Sequence, residues 1–233
     1  MAKWKSAVIV YDENRDDADE TVSQMKRLGH EEVHVFASPL VRINKQRDIV
    51  VHQTEAWLDE YTLWRDTVKT MAKTYASSID LFLLARPGVS IWEQLPTYAE
   101  YTIDTGMVGV WSPFTPNRVF PDELQERPSC GMTFGWCPTY LNSSFTANHC
   151  LIASRHAMAL MSAYLPKKYE FDQNAAAGLA LAMQRYSVPF FFHTPSLVGH
   201  KDHKVFAGDF VGCSFEMSQA DMRDPGKAYV TLP

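Results

Sequence analysis

The side chains best suited to chemistry lie in the last third of the chain. Glu170 and Asp172 stand just ahead of an alanine-rich segment at 175–186, and a carboxylate there can take a proton from a hydroxyl group. Downstream, Pro189, Phe190, Phe191, Phe192 and His193 make a short aromatic run, and Pro195, Ser196, Leu197, Val198, Gly199, His200 and Lys201 follow it. A histidine in that setting can ligate a metal, and histidine and lysine alike can donate to anionic oxygens. Arg86 stands alone at the exit of an apolar run, and its planar fork of N–H groups matches a phosphate bidentately. Each residue also has a plainer role. Asp172 would cap the helix that follows it, His193 would pack within a sheet, and His200 would belong to a solvated run with Lys201, Asp202, His203 and Lys204.

A second constellation is Cys130, Cys137, His149 and Cys150, which offers zinc-type ligands. It lacks the short knuckle of two cysteines separated by two residues, and adjacent His149 and Cys150 point apart on a strand. The four cysteines are expected to be reduced thiols.

The elements that must hold these groups follow from hydropathy. Residues 6–11 form an apolar, β-branched run and predict a buried first strand. Asp16 or Asp17 caps a helix to about Leu28, which Gly29 stops. Residues 33–36 predict a second strand, so the start of the chain reads as a strand–helix–strand unit with parallel strands. An edge strand is expected before Val51. Trp57, Leu58, Tyr61, Trp64, Val68, Met71 and Ala72 recur at helical spacing across 54–75. Residues 79–84 suit the middle of a sheet, and Arg86, Pro87 and Gly88 break them off. A helix over 91–101, a strand over 107–111, a loop over 112–144, a strand and helix over 146–165, a helix over 175–186 and a strand over 189–193 complete the plan. The tail from 207 to 233 shows no clear period.

The 233 residues, 46% apolar and 21% charged, suit one α/β domain. Element order sets off about 1–106, about 107–206 and a tail at 207–233 within it. The formal charge of −5 argues against a protein that coats nucleic acid, although a local basic patch is compatible with it. No stretch is long and apolar enough for a membrane span, and the first residues lack the apolar core of a signal peptide. A cytoplasmic location is the expectation.

The order of Asp172, a helix, an aromatic strand and the Pro195–His200 motif resembles the C-terminal half of nucleotide-sugar-dependent glycosyltransferases of the GT-A fold, family 2-like. The element order over roughly 6–206 is similar to that plan. The resemblance implies a mostly parallel central sheet flanked by helices in a single domain, with a nucleotide-binding half at about 1–106 and an acceptor half at about 107–206. It also implies a nucleotide-sugar donor, UDP-linked in expectation. Asp172 would be the base that activates the acceptor hydroxyl, with Glu170 as its fallback. Val10, Tyr11, Asp12 and Arg15 at the first strand's exit would meet the nucleotide, with Arg65 contributing from the long helix. His200 and Lys201 would stand at the diphosphate. Members of that family usually end the central strand in an Asp-x-Asp metal motif. Here Arg86, Pro87 and Gly88 stand instead, so Arg86 would replace the metal's charge and a divalent metal is not expected.

The acceptor is open: a glycan, a protein, or hydroxymethylpyrimidine in DNA, as proposed for one phage group. DNA would need a basic rim from Arg42, Lys45, Arg47, Lys167 and Lys168 and extrusion of the base. Two other readings remain, a GT-A-like binding or scaffold protein without catalysis and an unrelated α/β domain. The oligomeric state is open.

Overall fold

The first and central apolar runs are apolar on both faces, which is stable only between two helical layers. In the computed structural model, which describes residues 2–11, 15–43, 47–55, 58–114, 135–139, 149–165, 187–194, 196–201, 209–210 and 213–214, they lie side by side in an α/β fold. The strands are β1 (Trp4–Val10), β2 (Val33–Ala37), β3 (Ile49–Gln53), β4 (Leu81–Ala85), β5 (Val89–Ile91), β6 (Val110–Ser112), β7 (Gly135–Thr139), β8 (Cys150–Ser154), β9 (Phe190–Thr194), β10 (Val198–His200), β11 (Asp209–Phe210) and β12 (Cys213–Ser214). Eight of them form one sheet in the order β3-β2-β1-β4-β8-β6-β9-β7.

The sheet is mixed. Strands β3, β2, β1 and β4 are parallel throughout. β8 runs against both β4 and β6, β6 and β9 are parallel, and β7 is antiparallel to β9. The expected parallel arrangement thus describes the N-terminal half of the sheet. The C-terminal half admits two reversed strands that no local hydropathy pattern distinguishes from parallel ones.

Among the described residues four helices cover the sheet: α1 (Arg15–Arg27), α2 (Glu60–Tyr75), α3 (Leu95–Thr102) and α4 (Arg155–Tyr164). Two apolar clusters divide by face. Ile9, Phe82, Leu84 and Leu151 pack with Trp64, Val68 and Met71 of α2 and Met158 of α4. Val8, Val35, Leu83 and Ile152 pack with Val22 and Met25 of α1 and Leu95 and Ala99 of α3. The alternation along each strand sends successive side chains to opposite layers.

Local signals set several boundaries. Gly29 (φ 87°) ends α1, with His30 N–H donating to Met25 O at 3.3 Å and Gly29 N–H to Lys26 O at 3.0 Å, the paired bonds of a Schellman stop. Asp16 and Asp17 lie in the first turn of α1 and not ahead of it. The long helix starts at Glu60 instead of about residue 54, because β3 continues to Gln53 and Asp59 caps the helix, accepting from Thr62 N–H at 2.9 Å. The helix expected from Ile91 begins only at Leu95, and Ile91 instead closes strand β5. No helix among the described residues is long and apolar enough to cross a membrane.

Candidate functional site

The parallel strands end at a common edge, where open α/β sheets collect ligands. β1 ends at Val10, β4 at Ala85 and β6 at Ser112, and antiparallel β8 begins there, since Ala85 pairs with Cys150. Just beyond β4, Arg86 N–H donates to His149 O at 2.8 Å, tying the turn of Arg86, Pro87 and Gly88 to the start of β8.

This turn is where distant sequence converges. β5 follows it at once and pairs antiparallel with β10, matching Val198 to Ile91, Gly199 to Ser90 and His200 to Val89. Lys201 N–H then donates to Gly88 O at 3.1 Å. The His200 ring lies 4.6 Å from that of His149 and 6.3 Å from Phe114, and Phe114 meets His149 at 4.7 Å. Two imidazoles, His149 just ahead of β8 and His200 at the end of β10, thus share one aromatic corner beside the β4 exit.

Ser196 fixes the approach of β10. It is 2% exposed, and its hydroxyl points at Val198 O (2.8 Å) and Pro113 O (3.1 Å). Leu197 N–H donates to Pro113 O at 2.8 Å. The segment Ser196–His200 is therefore clamped to the exit of β6 as well as to β5.

The candidate cations carry carboxylate partners. Arg86 Nη1 donates to Glu60 Oε1 at 2.8 Å, with the two side chains 20% and 17% exposed. Lys201 Nζ is paired with Asp17 Oδ2. Arg65 forks onto neighbouring Asp66 through Nε (3.0 Å) and Nη2 (2.8 Å). Arg15 lies 3.5 Å from Asp19, one turn on in α1. Beside Glu60, burial opposes ionisation of Asp59, but hydrogen bonds from the Thr62 hydroxyl and N–H outweigh it and hold its carboxyl below the usual range.

Of the residues singled out in the sequence, Val10, Tyr11, Arg86, His200 and Lys201 stand at or beside this edge. Val10 is fully buried and its carbonyl accepts from Ser38 N–H at 3.0 Å, so its side chain belongs to the core. Tyr11 packs half-buried against the α2 layer. Trp64 is a core residue, 1% exposed. His193, at 0% exposure, faces Tyr98, whose hydroxyl is 2.8 Å from its Nε2. Asp12, Glu170 and Asp172 lie outside the described residues, as do Lys45, Lys167 and Lys168.

The roles of Glu60, Asp17, Ser196 and Phe114 were not foreseen. Only Ser196 carried a signal, its place inside the motif ending at His200. Among the described residues no three His, Cys, Asp or Glu side chains converge on a metal position. Cys130 of the zinc constellation lies outside them, and burial pushes the Cys150 thiol well up, away from the thiolate a metal needs.

The turn itself requires glycine. Gly88 has φ 79°, and a Cβ there would come within 3.2 Å of Lys201 Cε. Replacing Gly88 with alanine is expected to cost about 1–2 kcal/mol, measured as a lower urea midpoint, and an unchanged midpoint would show the turn to be unstrained.

Compared with known protein families and with curated proteins, the chain matches no family model and no curated sequence.

Proposed function

We propose that this chain is a glycosyltransferase of GT-A type. It moves a sugar from a nucleotide-sugar donor, UDP-linked, to a hydroxyl acceptor, with cationic side chains in place of a carboxylate-held metal. The observation that carries this reading is the pairing of β10 with β5. It brings His200 and Lys201, more than a hundred residues away in sequence, to the turn where the resemblance puts the donor's diphosphate. The strand–helix–strand start of the chain and the shared edge of β1 and β4 also support it, because a nucleotide at the carboxyl edge would reach both.

In this proposal the acceptor oxygen bonds to the anomeric carbon as that carbon's bond to the diphosphate oxygen breaks. In the inverting form Asp172 takes the acceptor proton, with Glu170 as fallback. The electron pair leaves on the diphosphate, where Arg86, His200 and Lys201 meet the developing charge. Tyr11, the Val10 backbone, Asp12 and Arg15 would hold the nucleotide, with Arg65 behind them. Hydroxymethylpyrimidine in DNA is one acceptor class within this reading, alongside glycans and proteins, and a cytoplasmic setting would suit it.

The test is calorimetric titration of a nucleotide-sugar panel, with manganese and again with a chelator. Binding that survives the chelator and weakens about tenfold or more in Arg86→Ala is expected, the loss of one charge-assisted hydrogen bond. Absence of donor binding under both conditions would overturn the reading. Binding without turnover on any acceptor would favour a non-catalytic binding protein, the reading that the missing carboxylates after β4 would then support.

A further inference from the structure

Two cations proposed for the diphosphate already hold a carboxylate: Arg86 bonds Glu60 at 2.8 Å and Lys201 is paired with Asp17. The carboxylates come from two different helices, Glu60 from α2 and Asp17 from α1. The cations flank one turn. Arg86 begins it, and Lys201 closes over Gly88, donating its N–H to the Gly88 carbonyl at 3.1 Å. Two residues of chain span at most about 7 Å, so the two ion pairs sit around a single short turn. Their burial differs. The Arg86–Glu60 side chains are 20% and 17% exposed, whereas Lys201 is 49% exposed over Asp17 at 18%. A carboxylate pushed off a mostly buried cation must find new solvation, so that pair resists exchange more strongly than the outer one.

We infer that Glu60 and Asp17 set the charge selectivity of this edge, favouring diphosphate over monophosphate, an inference that rests on the donor reading above. Each carboxylate occupies a cation that phosphate oxygens would otherwise take. A lone phosphate can exchange with one carboxylate and remains repelled by the other. A diphosphate presents two charged groups, exchanges at both pairs, and so gains both charge-assisted contacts. Glu60 and Asp17 touch the cations and not the reacting atoms, which makes them specificity-determining residues.

The probes are inorganic phosphate and inorganic pyrophosphate, titrated calorimetrically at low ionic strength, where such contacts are least screened. The proteins are the full chain as wild type, Glu60→Gln, Asp17→Asn and the double variant. Wild type is expected to bind pyrophosphate at least about tenfold tighter than phosphate. The double variant is expected to bind phosphate about tenfold tighter than wild type does, so the preference shrinks. Asp17→Asn alone, on the more exposed pair, leaves the core untouched and is expected to give a smaller shift in the same direction. A preference in the double variant within about twofold of wild type, or weaker phosphate binding, overturns the inference. So does the failure of either anion to bind wild type and double variant alike.

Titrating nucleotide sugars into the same samples separates this result from the donor reading. A shifted pyrophosphate preference without nucleotide-sugar binding sinks the donor reading and keeps the selectivity. Nucleotide-sugar binding with an unshifted preference does the reverse.

Discussion

Replacing Trp64 with alanine is expected to cost about 3–5 kcal/mol of folding stability, the range for deleting a large buried aromatic. Trp64 is 1% exposed and among the largest fully buried side chains. It lies in the cluster where α2 meets β1, β4 and α4, with Phe82, Met71 and Met158 in the same core. Alanine would leave a void at the centre of that layer, and backbone on both sides belongs to regular elements that cannot collapse into it. Trp64→Phe is expected to cost far less. The indole Nε1 is buried without a hydrogen-bond partner among the described residues, so phenylalanine removes an unsatisfied donor while keeping most of the volume. Urea unfolding of both variants checks this. A Trp64→Ala cost below about 1 kcal/mol would mean the layer repacks, against the close packing of cores. Because Glu60 begins the same helix, a loosened α2 should also weaken the hold on Arg86.

Acid is the second expected weakness. Burial lowers the pKa of His30 to about 4, and burial also takes His34 to about 4 against the opposing pull of Glu32. Both are neutral in the fold at pH 7 and titrate near 6.5 when unfolded. The unfolded chain therefore binds more protons between these values. Their contribution to stability is complete above about pH 6.5 and is lost as pH falls toward 4. By pH 5 each histidine is expected to have cost about 2 kcal/mol.

The geometry gives the reason. His30 is 6% exposed, and among the described residues neither ring nitrogen has a hydrogen-bond partner. His34 Nε2 lies 3.1 Å from Glu32 and its Nδ1 2.9 Å from His52 Nε2. Glu32, held below its usual pKa chiefly by its bond from Lys5, requires a proton on His34 Nε2. His34 Nδ1 must then accept from His52, and a second proton would set donor against donor. Tyr75 and Lys5 close the same cluster, at 3.2 Å and 2.7 Å from Glu32 Oε1. Urea midpoints measured from pH 7 to 5 should fall steadily in wild type and less steeply in His30→Leu. A flat wild-type profile would sink the argument.

Much of the frame was legible because its signals are local. The β-branched run over 6–11, the helical spacing from Trp57 to Ala72 and the stop at Gly29 each report a period or a backbone conformation that neighbouring residues impose. The apolar run over 79–84 was expected in the middle of the sheet and lies there as β4, shifted to 81–85, because a strand buried on both faces is apolar on successive residues. The same local rules misjudged the start of the helix expected from Ile91, which lies in β5. Val89 and Ile91 suit a strand as well as a helix start, and only a partner 107 to 111 positions later decides between them. Strand direction in the second half of the sheet escaped for a related reason, since Leu151 and Ile152 bury equally well on a parallel or a reversed strand.

The candidate site divides the same way. Arg86, His200 and Lys201 announced themselves as charged or titratable residues at breaks in apolar runs, and nothing in the chain around them named their partners. Glu60 looks like any acid at a helix start and Asp17 like any cap, yet they hold Arg86 and Lys201. The sequence determined which segments are buried, which are helical and where the main chain turns, because hydropathy period and backbone sterics act over a few residues. Which carboxylate meets which cation, and that His149 and His200 share one corner, the tertiary structure alone decided. Those contacts depend on how strands far apart in the chain align at one edge.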